Sequence, residues 1–215
     1  MVFDIVKIES ETAPVTPDTY HHGNLPATLR AAAADLLEER GVAGFSLREV
    51  SRRAGVSHAA PAHHFGDATG LLTAVAVEAF QHLTAETEAA LAGIEDPVEA
   101  LARLGRAYVS ISVRFPGHCA VVFRKDAVDS DDPAYQEWGH RAFEVLRSAI
   151  QRIADQHNPD LDVLEASFLC HAMVQGLVDL HATMEGIGAQ SGVDVHDIED
   201  LAEAFTRRLA VGLVG

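Results

Sequence analysis

Residues 45 to 65, FSLREVSRRAGVSHAAPAHHF, constrain this chain more than any other stretch, because their punctuation fits two short helices joined by a tight corner. Ser46 with Glu49 matches a capping box, in which hydroxyl and carboxylate satisfy amide donors that a first helical turn leaves unpaired. Leu47 and Val50 fall on one face, and Ala54 is small enough for a second helix to approach. Gly55 can take the left-handed conformation that ends the first helix, and Val56 fills the corner. Ser57 is placed to begin a second helix, expected to reach about residue 64 and to present His58, Ala59, Ala60, Pro61 and His63 outward. Such a helix-turn-helix can lay its second helix in a DNA major groove.

The rest of the chain reads as helix throughout. Asn24 can cap a first helix with Pro26 in its opening turn, Leu29, Ala32, Ala33, Leu36 and Leu37 form its buried stripe, and Gly41 closes it. After Phe65, GDAT supplies a turn and a cap for a long helix over about 68 to 92. Pro97 opens the next, which stops before Pro116 and Gly117, and a short helix over about 118 to 127 follows. DSDDP leads into a helix over about 133 to 157, broken by Asn158 and Pro159. The last two helices are expected over about 161 to 185 and 195 to 213, separated by the glycine-rich GIGAQSG. The reading is an all-α chain of about nine helices without a strand pattern: a mobile tail at 1–19, a three-helix unit at 20–67 and a larger helical unit at 68–215.

From residue 24 to 72 the ordered elements LLEERG, FSLREVSRRAGVS, HHF and LL resemble the DNA-binding domain of the TetR family of bacterial transcriptional regulators. The resemblance implies a homodimer, with an N-terminal DNA-binding domain and a helical C-terminal domain that holds a small-molecule pocket. It also implies that the long helix after the helix-turn-helix sets the spacing of the two recognition helices, which must match half-sites about one DNA turn apart. His58, Ala59, Ala60 and His63 are then the base-edge candidates, and Ser46, Arg48, Ser57, His64 and Thr69 the phosphate candidates. Two positions depart from the family, Ala62 where Tyr is usual and Ala68 where Lys is usual, and both typically touch phosphate. Weaker or more salt-sensitive binding, or compensation by His63, His64 and the arginines, is the expected consequence.

A formal net charge of -16 argues at first against a polyanionic partner. Its distribution reverses the point: residues 24 to 66 carry five arginines against four acids, whereas 67 to 215 carry ten basic residues against twenty-four acids. Cys119 and Cys170 are the only cysteines and lack CxxC spacing; with no secretory leader pattern, reduced thiols in the cytoplasm are the expectation. No uninterrupted apolar run approaches the roughly 18 residues of a membrane span.

For the ligand pocket the candidates are Tyr108, Phe115, His118, Phe123, Trp138, Phe143, Phe168, His171 and Gln175, aromatic and polar residues spread over the middle helices. Aromatics at helical spacing also build plain core, so the polar His118, His171 and Gln175 are the more pointed choices. The neighbouring His118/Cys119 and Cys170/His171 pairs lack metal-ligand spacing, so no metal or cofactor is expected. The enzyme motifs GxGxxG, P-loop, HExxH and GxSxG are absent, which leaves an enzyme as the weak alternative. Apolar stripes on the last two long helices, Leu161, Leu164, Phe168, Leu169 and Ala172 with Ile198, Leu201, Phe205 and Leu209, suit a two-fold four-helix bundle. The functional expectation is a repressor released from a pseudo-palindromic double-stranded DNA operator by a largely apolar small molecule. The alternative is a small-molecule binding protein of the same fold with lost or weak operator binding.

Overall fold

The computed structural model describes residues 24–191 and 198–214. The expected tail at 1–19 and residues 20–23 of the expected three-helix unit lie outside the described residues. Among the described residues nine α-helices follow in order: α1 Leu25–Arg40, α2 Leu47–Ala54, α3 Ala60–Phe65, α4 Ala68–Leu91, α5 Pro97–Arg114, α6 Pro116–Cys119, α7 Pro133–Gln156, α8 Val163–Ser191 and α9 Ile198–Val214. No strand occurs among the described residues.

Local chemistry sets most of the boundaries. The Ser46 hydroxyl accepts from Glu49 N at 3.4 Å and starts α2. Gly55, at φ 67 and ψ 31, ends it. Val56 N then donates to Ser51 O at 3.0 Å and Gly55 N to Arg52 O at 3.4 Å, the paired closure of a left-handed C-cap. Asp67 caps α4 through Gly70 N at 2.9 Å. Asp96 and Asp132 do the same for α5 and α7, each followed by a proline that fits a first turn. Only half of the expected capping box forms: the Glu49 carboxylate turns to Arg52, at 2.9 and 2.7 Å, and to Arg53.

Three boundaries differ from expectation. α3 begins at Ala60, three residues late, with residues 57 to 59 in a turn closed by Ala60 N on Ser57 O at 3.1 Å. Proline is tolerated only in a first turn, so Pro61 sets that start, and its ring is buried instead of facing outward. The helix expected over 118 to 127 shrinks to α6 and a run of turns. Val121, Val122, Ala127 and Val128 are all buried, and on a helix these four positions would point around most of the circumference, so turns are needed to bring them all inward. Finally, α8 runs to Ser191 through the glycines expected to end it near 185; each costs a helix interior only about 1 kcal/mol.

One core joins Leu29, Leu36 and Leu37 of α1, Val50 of α2 and Leu71, Leu72 and Val75 of α4 with Val121 and Val128. A second joins Leu101 and Leu104 of α5, Ile150 and Ile153 of α7, Cys170 of α8 and Ala210 of α9. α4 is shared: its first half lies in the first core, while Ala79 and Phe80 pack with Val122, Tyr135 and Trp138. The stretch Val163–Thr183 of α8 is long and apolar enough to cross a membrane by length and composition, with mean hydropathy 1.3, and only 22% of it is buried. Its uninterrupted runs stay short because Glu165, His171, Gln175 and Asp179 divide it. Leu164, Phe168, Leu169 and Leu180 are each more than half exposed, an apolar surplus that suits a partner helix.

Candidate DNA-reading surface and ligand cavity

The helix-turn-helix places its candidates on one continuous stretch of α2, the turn, α3 and the start of α4. Ser46, Arg48, Ser57, His58, Ala59, His63, His64 and Thr69 are exposed, and Ala60 is half-buried against the fold. The His63 and His64 rings meet edge to face at 5.1 Å. Most of the nearby arginines are already engaged: Arg30 with Glu78 at 2.9 Å, Arg52 with Glu49 at 2.7 Å, Arg53 with Glu39 at 2.8 Å and Arg40 with Glu49 at 3.9 Å. The Arg52 guanidinium, aided by Arg53 and Arg40, holds the Glu49 carboxyl down at about 2. Arg48 makes no ion pair among the described residues. Ala62 is exposed on α3, and Ala68 half-buried at the start of α4.

Between α4, α5, α7 and α8, and closed by the stretch from Pro116 to Phe123, lies a cavity of about 720 Å³. Six expected residues line it: Tyr108, Phe123, Phe143, Phe168, His171 and Gln175. They meet as a polar chain with aromatic walls. The Tyr108 hydroxyl donates to Gln175 Oε1 at 2.6 Å, and Gln175 Nε2 donates onward to Asp179 Oδ1 at 2.9 Å. The His171 ring stands edge-on to Tyr108 at 5.4 Å and to Phe123 at 5.6 Å. Burial lifts the Tyr108 phenol above its ordinary range and lowers the His171 imidazole, which favours its neutral form. Burial also raises the Cys119 thiol and pushes Cys170 up to about 12. Glu38 and Asp179 are among the described lining residues, which include no lysine or arginine.

Three expected residues lie elsewhere. Trp138 packs with Phe80 and Val122, and Arg141 sits 5.0 Å over its ring. Phe115 and His118 flank the start of α6 and turn toward α4, while Pro116, Cys119 and Ala120 take the cavity side. Sequence reading also missed much of the apolar wall, including Leu83, Thr87, Leu104, Ile111 and Val174. A signal existed for part of it: Leu104, Tyr108, Ile111 and Ser112 share one face of α5 at helical spacing.

Comparison with known proteins agrees with this architecture. A sequence profile described as Tetracyclin repressor-like, C-terminal domain matches residues 101–209, and one described as Bacterial regulatory proteins, tetR family matches residues 29–75. No curated protein sequence matches the chain. Among solved structures, a protein of unknown function from Rhodococcus sp. RHA1 is 30% identical, with 92% of this chain and 99% of that one covered and a TM-score of 0.74. PfmR, a TetR family transcriptional regulator from Thermus thermophilus, is 23% identical, with coverages of 86% and 98% and a TM-score of 0.68. FadR from Bacillus subtilis, solved in complex with stearoyl-CoA, is 17% identical, with coverages of 86% and 98% and a TM-score of 0.67. With more than half of its length matched by the C-terminal profile and the helix-turn-helix matched by the N-terminal one, the chain belongs to the TetR family of bacterial transcriptional regulators.

Proposed function

We propose that the chain is a ligand-responsive repressor: a dimer whose units at 20–67 read successive major grooves of a pseudo-palindromic operator, and whose units at 68–215 bind an apolar effector and each other. One observation carries the reading. α4 lines the cavity with Ala79, Phe80, Leu83 and Thr87, and the same helix packs Leu71, Leu72 and Val75 into the core that holds α1 and α2. Whatever fills the cavity therefore presses on the rod that carries the reading surface. A helix of 24 residues is roughly 36 Å long, so a tilt of about 5° moves its end by about 3 Å, enough to spoil the register of two half-sites. The effector shifts the dimer only by the difference in its affinity for the two spacings.

Phe168, Leu169, Ala172 and Leu180 on α8, with Leu201 and Val211 on α9, are exposed and supply the dimer face. Gly176 sits amid the α8 face with nothing near its Cβ position, which lets a partner helix come close. The cavity chemistry favours a neutral or cationic apolar effector. A phosphate-bearing ligand such as the stearoyl-CoA of FadR would find no lysine or arginine to pair with among the described lining residues.

The test is selection of bound duplexes from a random pool, followed by anisotropy titration at two salt concentrations. Enrichment of a palindrome with a steep salt slope is the expected result. Negligible DNA affinity at low salt would instead favour a binding protein without an operator, the reading that Ala62, Ala68 and the paired arginines support.

A further inference from the structure

α6 meets α4 at a cluster that neither the cavity nor the reading surface uses. Glu78 and His82 stand four residues apart on one face of α4, and His118 faces them from α6. One ligand atom from each, a carboxylate oxygen and two imidazole nitrogens, lies within 4.8 Å of the other two. His118 Nε2 is 3.7 Å from Glu78 Oε2. Around a tetrahedral ion with bonds of about 2.0–2.1 Å, ligand atoms stand roughly 3.4 Å apart, so closing the site takes movements of about 1 Å or less per side chain.

The surroundings hold these groups in place. The Phe115 ring lies flat on His82, centroids 4.9 Å apart and planes 2° from parallel. His118 stands edge-on to both rings, at 5.9 Å from His82 and 5.8 Å from Phe115. Arg30 Nε donates to Glu78 Oε2 at 2.9 Å, the kind of outer hydrogen bond that aims a ligating carboxylate. Arg114, over the Phe115 ring at 5.3 Å, is itself held by Glu86 at 3.3 Å. Two imidazoles and one carboxylate suit a borderline divalent transition metal rather than calcium or magnesium, which prefer all-oxygen sites.

We propose that Glu78, His82 and His118 bind a divalent transition-metal ion of the zinc class, which clips α6 to α4 and leaves one coordination position for water. The clip joins the cavity wall at Pro116 and Cys119 to the helix that reaches the DNA-reading end. A simple ion pair of Arg30, Glu78 and His118 would hold the same contact without metal, and it has no use for His82. That residue separates the two arrangements.

Full-length protein stripped with chelator would be titrated with Co²⁺ as an optical probe and then with Zn²⁺ in competition. The expected result is one Co²⁺ per chain with a tetrahedral spectrum, displaced by Zn²⁺. His82→Ala and His118→Gln should each weaken binding by more than the roughly 10–100-fold that loss of an outer-shell partner costs. A His140→Ala/His157→Ala control, at exposed positions of α7 and its end, should bind as wild type. Circular dichroism checks that each variant keeps its helices, and if His118→Gln does not fold, His82→Ala decides alone. Absence of stoichiometric binding, or binding undiminished by His82→Ala, would overturn the proposal and leave the ion pair.

Discussion

Gly117→Ala tests how the two halves of the molecule meet. Gly117 lies in α6 against the backbone of α1, and an added Cβ would stand 2.1 Å from the Ala34 carbonyl oxygen, 2.9 Å from its carbon and 3.2 Å from Glu38 N. Non-bonded heavy atoms settle near 3.5–4.0 Å, so the new methyl is more than 1 Å too close. Its neighbours are main-chain atoms inside a helix, which cannot rotate aside; α6 must lift from α1. Overpacking of this kind costs about 1–3 kcal/mol. At about 3 °C per kcal/mol for a chain of this size, calorimetry should show Tm lower by roughly 3–9 °C. Gly139→Ala is the matched control, because its Cβ would meet only the edge of the Phe80 ring at 3.3 Å, which can yield; a change within about 1 kcal/mol is expected there. Equal melting of the two variants would refute the close contact of α6 with α1. The same lift would draw His118 away from Glu78.

Tyr108→Phe should destabilise the fold by about 1 kcal/mol, and a double-mutant cycle with Gln175→Leu should return a coupling of similar size, from the 2.6 Å bond between them; zero coupling would mean the bond is not formed in solution. Because burial lowers the His171 pKa, the unfolded chain holds its proton more tightly, so this contribution to stability is complete above the unfolded value of about 6.5 and is lost as pH falls from there through the lowered folded value. Tm measured against pH should fall more steeply for wild type than for His171→Phe in that window, and identical slopes would count against a buried neutral imidazole. Leu169→Glu with Leu180→Glu, at positions more than half exposed on α8, should convert the proposed dimer to a folded monomer in sedimentation, whereas a persistent dimer would assign the interface elsewhere.

Several helix ends were legible in the sequence because the bonds that form them are short in sequence. Ser46 reaches Glu49, Asp67 reaches Gly70, and Gly55 adopts its left-handed turn beside the helix it closes. The buried stripe of α1 could be read for the same reason, since helical spacing places Leu29, Ala33 and Leu37 together whatever they pack against. Pro61 carried a local signal that the expected start at Ser57 left unused: its place in a first turn puts the start of α3 at Ala60. The orientation of the aromatics had no such signal. Phe115 and Tyr108 share α5 and its end, yet one stacks on His82 and the other lines the cavity.

Sequence alone therefore determined the helical composition, the corner at Gly55 and the family. Tertiary structure decided which arginines are engaged by Glu39, Glu49 and Glu78, which face of α8 stays apolar and exposed, and which six of nine candidates share a cavity. It also brought His118 to Glu78 and His82 from 36 positions beyond the nearer of them. A cap is a bond between chain neighbours, whereas a cavity or a ligand cluster is the space left where surfaces distant in sequence fail to fill one another. Tyr108 and Gln175, 67 residues apart, acquire a joint role only once α5 and α8 have packed.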